Sequence, residues 1–285
     1  MNAKPRRQKL RGLLNSERCI YPGSVYDPIS ARVAEDLGFE AGMFAGSIAS
    51  FTVLGAPDII VLTLTEFAAQ AYRICRAGEL ALIVDADHGY GNALNVKRTV
   101  EELETAGIAC LTIEDTLLPR RFGSRGPEFL SIEEGVGKMK GALAGRSDPD
   151  LIVLGRTSAV SENGLDDGIN RARAYLDAGV DGIMFVGIKT RAELDSIATA
   201  IDAPIMLGGA GKELQDLEYL SECGVRFCLQ GHQPFLAAVK AMHDTLKALR
   251  EGTPPSELEG IASSDLIKRL TRETTYQDWQ DKFLS

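Results

Sequence analysis

Short apolar runs alternate with longer amphipathic stretches through most of this chain, and that rhythm restricts its fold more than any other feature. The runs Ile20–Val25, Ala41–Ala45, Ala81–Asp85, Cys110–Glu114, Leu151–Arg156, Gly182–Val186, Pro204–Leu207 and Arg226–Leu229 predict strands. Helices are expected between them, near 28–37, 65–77, 93–106, 132–144, 165–178, 191–200, 213–223 and 234–250. Thr105-Ala-Gly-Ile-Ala109 and Asp177-Ala-Gly-Val-Asp181 share one junction, with Leu37-Gly-Phe and Cys223-Gly-Val as variants. A glycine just past a helix end, followed by a buried strand, is the expected helix-to-strand connection. Eight such units predict an α/β fold, a (β/α)8 TIM-type barrel. A doubly wound open sheet fits less well, because no Gly-x-Gly-x-x-Gly follows the first strand. The catalytic barrel is expected over residues 1–250. Residues 251–285 read as a C-terminal loop (251–263) and helical extension (264–285), packing on the barrel or a neighbouring subunit.

Composition narrows the class. Among 285 residues, 31 Lys and Arg face 40 Asp and Glu, a net charge of −9. That sign argues against a nucleic-acid partner. No apolar stretch reaches the roughly 20 residues of a membrane span. The basic start Met-Asn-Ala-Lys-Pro-Arg-Arg-Gln-Lys has no apolar segment behind it, so a signal peptide is not expected. The five cysteines show no Cys-x-x-Cys spacing and read as reduced core thiols of a cytoplasmic protein.

The segment Asp85-Ala-Asp-His-Gly-Tyr-Gly-Asn92 follows a buried run directly. Side chains alternate along a strand, so Asp85 and Asp87 are expected to face the same way. Two close carboxylates repel unless a cation or shared proton compensates. A barrel carries its active site at the C-terminal strand ends, which here offer Ser47, Asp85, Asp87, Glu114, Asp115, Arg156 and His232, with Asp58 in the long loop after strand 2. Oxygen ligands without His or Cys at ligand spacing favour Mg²⁺, or Mn²⁺, over zinc. Structural roles compete with each assignment: helix capping for the Asp pair, a strand-end ion pair for Glu114 and Arg156, a turn for Asp58 and a loop role for His232. His88 and His243 read as structural. The loop Gly208-Gly-Ala-Gly211 offers a phosphate cradle or, more simply, a tight turn.

Ala45-Gly-Ser-Ile-Ala-Ser50, the Asp58 loop, the Asp85 segment, Gly107-Ile-Ala-Cys-Leu-Thr-Ile-Glu-Asp115 and Leu154-Gly-Arg-Thr157 together resemble the isocitrate lyase/phosphoenolpyruvate mutase superfamily, in order from about residue 15 to 245. Asp-His-Gly-Tyr-Gly-Asn-Ala, Glu-Asp-Thr-Leu-Leu-Pro and Gly231-His232 are most similar to the Mg²⁺-dependent branch that decarboxylates oxaloacetate. The resemblance implies Asp85 as direct metal ligand, with Asp58, Asp87 and Glu114 acting largely through water. It implies Ser47, Gly46 and Arg156 on substrate oxygens and His232 near the leaving carboxylate. It also implies a small α-keto diacid substrate and a homotetramer, a dimer of dimers exchanging the last helix. Two departures stand out. Phe122 occupies the place where superfamily lyases carry an acidic Cys on the loop after strand 4, and the run Gly208–Lys212 lacks an expected Tyr.

Decarboxylation needs no nucleophile, which suits a site without a reactive Cys. It does need a proton for C3, and Tyr90 or a metal-held water are the candidate donors. Rival expectations are a carbon–carbon lyase acting on a methylisocitrate- or 2-methylmalate-like substrate, a phosphonopyruvate-processing enzyme, and a phosphate-binding or non-catalytic barrel.

Overall fold

A computed structural model describes residues 3–209 and 211–285. Eight parallel strands follow one another in sequence order: β1 (Gly23–Ser24), β2 (Ala41–Phe44), β3 (Ala81–Asp85), β4 (Cys110–Glu114), β5 (Ile152–Thr157), β6 (Gly182–Phe185), β7 (Ile205–Leu207) and β8 (Val225–Cys228). Closure runs through Ile20, whose N–H donates to Arg226 O at 3.0 Å and whose carbonyl accepts from Cys228 N at 3.0 Å. Strand 1 is thus shorter than the expected Ile20–Val25, because Pro22 supplies no N–H to the ladder.

Helix α1 (Lys4–Leu14) is additional to the expected alternation. Its Leu10 and Leu14 are buried beneath the barrel in one cluster with the inward residues Met43, Ile83, Ile152 and Phe227. Arg7 and Arg11 clamp it there, Arg7 on Ile108 O at 2.9 Å and Arg11 on Asp181 at 2.7 Å. The outer ring follows the expected spans: α2 (Pro28–Asp36), α4 (Leu64–Cys75), α5 (Ala93–Ala106), α6 (Ile132–Gly145), α8 (Leu165–Ala178) and α9 (Arg191–Ala200). Between them lie two short helices at the strand ends, α3 (Gly46–Ala49) and α7 (Ala159–Asn163). Helices α5 and α8 end on Gly107 and Gly179, both left-handed (φ 95° and 105°), the conformation their junction motif requires. The expected helix 213–223 divides into a 3₁₀ turn and α10 (Leu217–Glu222), because the Asp216 side chain caps the N–H groups of Glu218 and Tyr219.

The eighth helix, α11 (Gln233–Arg250), does not complete the ring: none of its residues is buried. An open groove of about 800 Å³, lined by Tyr26, Ile29, Val33, Phe39 and Pro234 among others, remains beside β1 and α2. The chain returns through α12 (Ser264–Thr271), whose Leu270 is buried and whose following Arg272 binds Asp36 on α2 at 2.7 Å. Helix α13 (Glu273–Phe283) stays exposed. The extension thus meets α2 of its own chain through α12 and the Arg272 that follows it.

Candidate active site

Alternation along three strands builds the barrel mouth. On β3, Ala81 and Ile83 point inward and Asp85 follows; on β4, Cys110 and Thr112 precede Glu114; on β5, Ile152 and Leu154 precede Arg156. Each inward row is apolar at depth and ends in a charge at the rim. Register sets Glu114 beside Arg156 and Asp85 beside Thr112. Arg156 Nη1 binds Asp85 Oδ2 at 2.5 Å, its Nη2 lies 3.3 Å from Glu114 Oε2, and Thr112 Oγ1 donates to Asp85 Oδ1 at 2.9 Å. Burial works against the Arg156 charge, but Asp85, Glu114 and Asp87 outweigh it and hold its pKa above the ordinary value.

Asp87 joins this cluster by a route the alternation rule did not supply. The strand ends at Asp85, and Asp87 turns back with a left-handed φ of 49°, its N–H on Asp85 Oδ1 at 3.2 Å. The turn is tied from below: Lys138 Nζ on α6 donates to His88 O at 2.8 Å, and Thr99 Oγ1 on α5 donates to Gly89 O at 3.0 Å. Burial, then Asp85, raises the Asp87 carboxyl well above the usual carboxylate range, with Arg156 opposing. Glu114 is raised by burial against Arg156. Asp58 lies in the exposed loop, yet partial burial of its carboxyl and Asp85 raise it too, with Arg156 and His232 opposing. Four carboxylates around one guanidinium leave the mouth short of positive charge.

His232, just before α11, sits between two hydroxyls: Ser47 Oγ is 3.3 Å from Nε2 and Ser24 Oγ is 3.1 Å from Nδ1. Gly46 and Ser47 open α3 at the end of β2, and Gly46 faces the Asp87 carboxylate without room for a side chain. Tyr90, also left-handed (φ 62°), packs its ring against Phe67 and His88, and its buried hydroxyl has no partner among the described residues. Burial, then Asp87 and Asp85, raise its pKa.

Asp115 does not belong to the mouth. One residue beyond Glu114, it points outward, fully buried, and accepts from Tyr175 Oη at 2.7 Å and Arg171 Nη1 at 3.1 Å. Arg171 Nη1 also donates to Leu130 O at 2.9 Å, so this outer cluster ties both ends of the loop after β4. Phe122 stands fully exposed on that loop. Of the loop after β7, Ala210 lies outside the described residues. A Cβ on Gly208 would meet Val186 Cγ2 at 2.8 Å, so close packing accounts for that glycine. His243 is exposed on α11, and His88 is buried with its pKa lowered to about 4, by burial and then by Lys138.

Thr112, Ser24 and Lys138 escaped the sequence reading. Thr112 was legible as an inward position two before Glu114. Lys138 was legible as a cation within the buried row Gly135, Lys138, Met139, Ala142. Ser24 carried no local signal.

A divalent cation fits this donor set. The carboxylates outnumber the one guanidinium, and every candidate ligand is an oxygen, as hard cations prefer. Among the described residues no three His, Cys, Asp or Glu side chains stand at chelating spacing. Mg²⁺ keeps several waters and takes one or two carboxylates directly, so the site would hold it through Asp85 with water between it and the other acids.

Comparison with known proteins agrees with this architecture. The chain is 60% identical over 273 residues to the oxaloacetate decarboxylase of Bradyrhizobium diazoefficiens, covering 96% of this chain and 95% of that one. A phosphoenolpyruvate phosphomutase structure from Streptomyces platensis subsp. rosaceus superposes with a TM-score of 0.88 at 25% identity, covering 98% and 99% of the two chains. A phosphonopyruvate hydrolase structure, in complex with oxalate and Mg²⁺, superposes with a TM-score of 0.86 at 26% identity, covering 98% and 99%. The sequence pattern of phosphoenolpyruvate phosphomutase extends over residues 10–250, the whole barrel with its rim of acids, and the chain belongs to that family.

Proposed function

We propose that this protein is a carboxy-lyase that converts oxaloacetate to pyruvate and CO₂ with Mg²⁺, or Mn²⁺, held directly by Asp85, with Asp87, Glu114 and Asp58 acting through water. The observation that carries the reading is the convergence of Asp85 and Glu114 on Arg156, with Asp87 turned back onto Asp85 and a Ser47–His232 pair beside them, in a chain 60% identical to an oxaloacetate decarboxylase. When bound, the cation supplies Lewis acidity toward the keto oxygen that gains charge.

The residues do the rest. Arg156 adds fixed positive charge at the rim, with its Nε lacking a hydrogen-bond partner among the described residues; planar guanidinium geometry suits a carboxylate. Ser47 and His232 bind and orient the diacid, with backbone N–H groups at Gly46 and Ser47 as further donors. Breaking C3–C4 releases CO₂ and sends the electron pair toward the C2 oxygen as an enolate. Tyr90 keeps its proton at neutral pH and, with a metal-held water, is one of two candidate donors of the proton that C3 needs. Purified protein should consume oxaloacetate and form pyruvate, stop on EDTA and resume on Mg²⁺. Asp85→Ala should abolish metal-dependent turnover. His232→Gln should depress turnover far more than Mg²⁺ affinity. Activity that survives EDTA, or a fully active Asp85→Ala, would refute the reading.

The same reading includes a homotetramer built as a dimer of dimers. Leu236, Val239, Met242, Leu246 and Leu249 form an exposed apolar stripe on α11. In this assembly the exchanged helix is α11 in place of the last helix expected from the sequence: α11 of a second copy would fill the groove beside β1 and bury that stripe.

A further inference from the structure

The two hydroxyls on His232 differ in what they face. Ser47 opens α3 at the mouth, whereas Ser24 ends β1 behind the ring. Among the described residues neither hydroxyl has another side-chain partner. Burial lowers the His232 pKa, with Asp85 and Asp58 opposing, so the ring is neutral above the ordinary histidine range. A neutral imidazole has one N–H donor and one bare nitrogen that accepts.

We infer that Ser24 is a positioning residue: its hydroxyl donates to His232 Nδ1, fixes the Nε2–H tautomer, and thereby turns the Ser47 hydroxyl proton toward an anionic substrate group. This rests on the proposed keto-diacid reading. The direction follows from the end of the relay. A carboxylate only accepts hydrogen bonds, so Ser47 must donate its single proton to it. The Ser47 lone pairs are then free to accept, and Nε2 must carry the hydrogen. Nδ1 is left bare and takes the Ser24 proton. Reversing the relay would aim Ser47 lone pairs at a carboxylate. The pair Ser24 and His232 lies 208 residues apart in sequence, joined because barrel closure sets β1 beside β8.

Ser47, the end of the relay, is assigned to the C1 carboxylate, which keeps its charge while the C4 carboxylate departs, so the relay contributes uniform binding and is read in KM. Ser24→Ala should raise KM for oxaloacetate about tenfold while kcat stays within about twofold, the scale of one hydrogen bond. Ser24→Thr, which keeps the hydroxyl, should return KM to within about threefold of the parent. A second measurement reads the ring itself. The chain has three histidines, so nitrogen-15 and carbon-13 solid-state NMR of histidine-labelled protein with oxalate and Mg²⁺, assigned through His232→Gln, reports the tautomer. Nε2–H is expected in the parent and in Ser24→Thr, and Nδ1–H or a mixture in Ser24→Ala.

Nδ1–H in the parent overturns the inference, and so does an unchanged Nε2–H or an unchanged KM in Ser24→Ala. A fall in kcat that Ser24→Thr fails to restore marks a merely structural role and overturns it equally. Should Ser24→Ala not fold, the parent tautomer and the Ser24→Thr kinetics still decide. Were the parent to leave oxaloacetate untouched, the proposed function would fall, while the ring signals would still judge the hydrogen-bond direction.

Discussion

Gly46 lies flat against the carboxylate of Asp87: a Cβ at position 46 would stand 2.4 Å from both carboxylate oxygens. No real Cβ tolerates that approach, and Asp87 is held by a turn tied to α5 and α6. Gly46→Ala should therefore displace the Asp87 carboxylate while the barrel folds normally. Misplacing a site group by about 1 Å costs on the order of 100-fold in rate. Steady-state kinetics beside a thermal melt would check it; near-parental kcat/KM would show that the turn yields.

Arg156 sits between Asp85 and Glu114 with 18% of its side chain accessible. Arg156→Met leaves those acids uncompensated, and breaking a buried ion pair from one side costs about 3–5 kcal/mol. Urea unfolding in EDTA should show a loss of that order, and Mg²⁺ should recover part of it. An unchanged midpoint would mean the acids relax into solvent.

Acid sensitivity follows from His88. Its folded pKa, near 4, lies below the unfolded value of 6.5. Between those values the unfolded chain binds the extra proton, so this contribution is complete above about pH 6.5 and is lost as pH falls toward 4. The loss amounts to roughly 3 kcal/mol at most. His88→Gln should flatten the stability profile in that window, measured by urea midpoints from pH 4 to 7. Parallel profiles for parent and variant would exclude the assignment.

Arg171 holds both stems of the loop after β4, through Asp115 and Leu130 O. Lysine cannot bridge both acceptors with a planar fork. Arg171→Lys should lower kcat/KM by about tenfold, one such charged hydrogen bond, and speed tryptic cleavage at Arg120, Arg121 or Arg125. Unaltered cleavage would show that the stems hold without it.

The exposed stripe on α11 yields a mass prediction. Met242→Glu with Leu246→Glu should shift sedimentation equilibrium from four copies toward smaller species. A parent that sediments as a monomer would contradict the assembly outright.

Much of this architecture was legible in the residues. Apolar runs bounded by glycine junctions marked all eight strands, because a parallel strand covered on both faces must be apolar along its length. The same period placed Asp85, Glu114 and Arg156 at the rim, since residues two apart share a face. Applied one residue further, it would also have turned Asp115 outward. Asp87 reached the mouth for another reason, a left-handed turn that Lys138 and Thr99 hold from separate helices.

Local pattern thus determined the strand count, the helix ends and which strand carried which charge, since these depend on neighbours a few positions away. Tertiary structure alone decided what those charges meet. Closure of the sheet brought Ser24 to His232, Arg156 between two acids from different strands, and α11 out of the ring it was expected to complete. Such meetings depend on strand register and on surfaces far apart in the chain, and no short window of sequence encodes them.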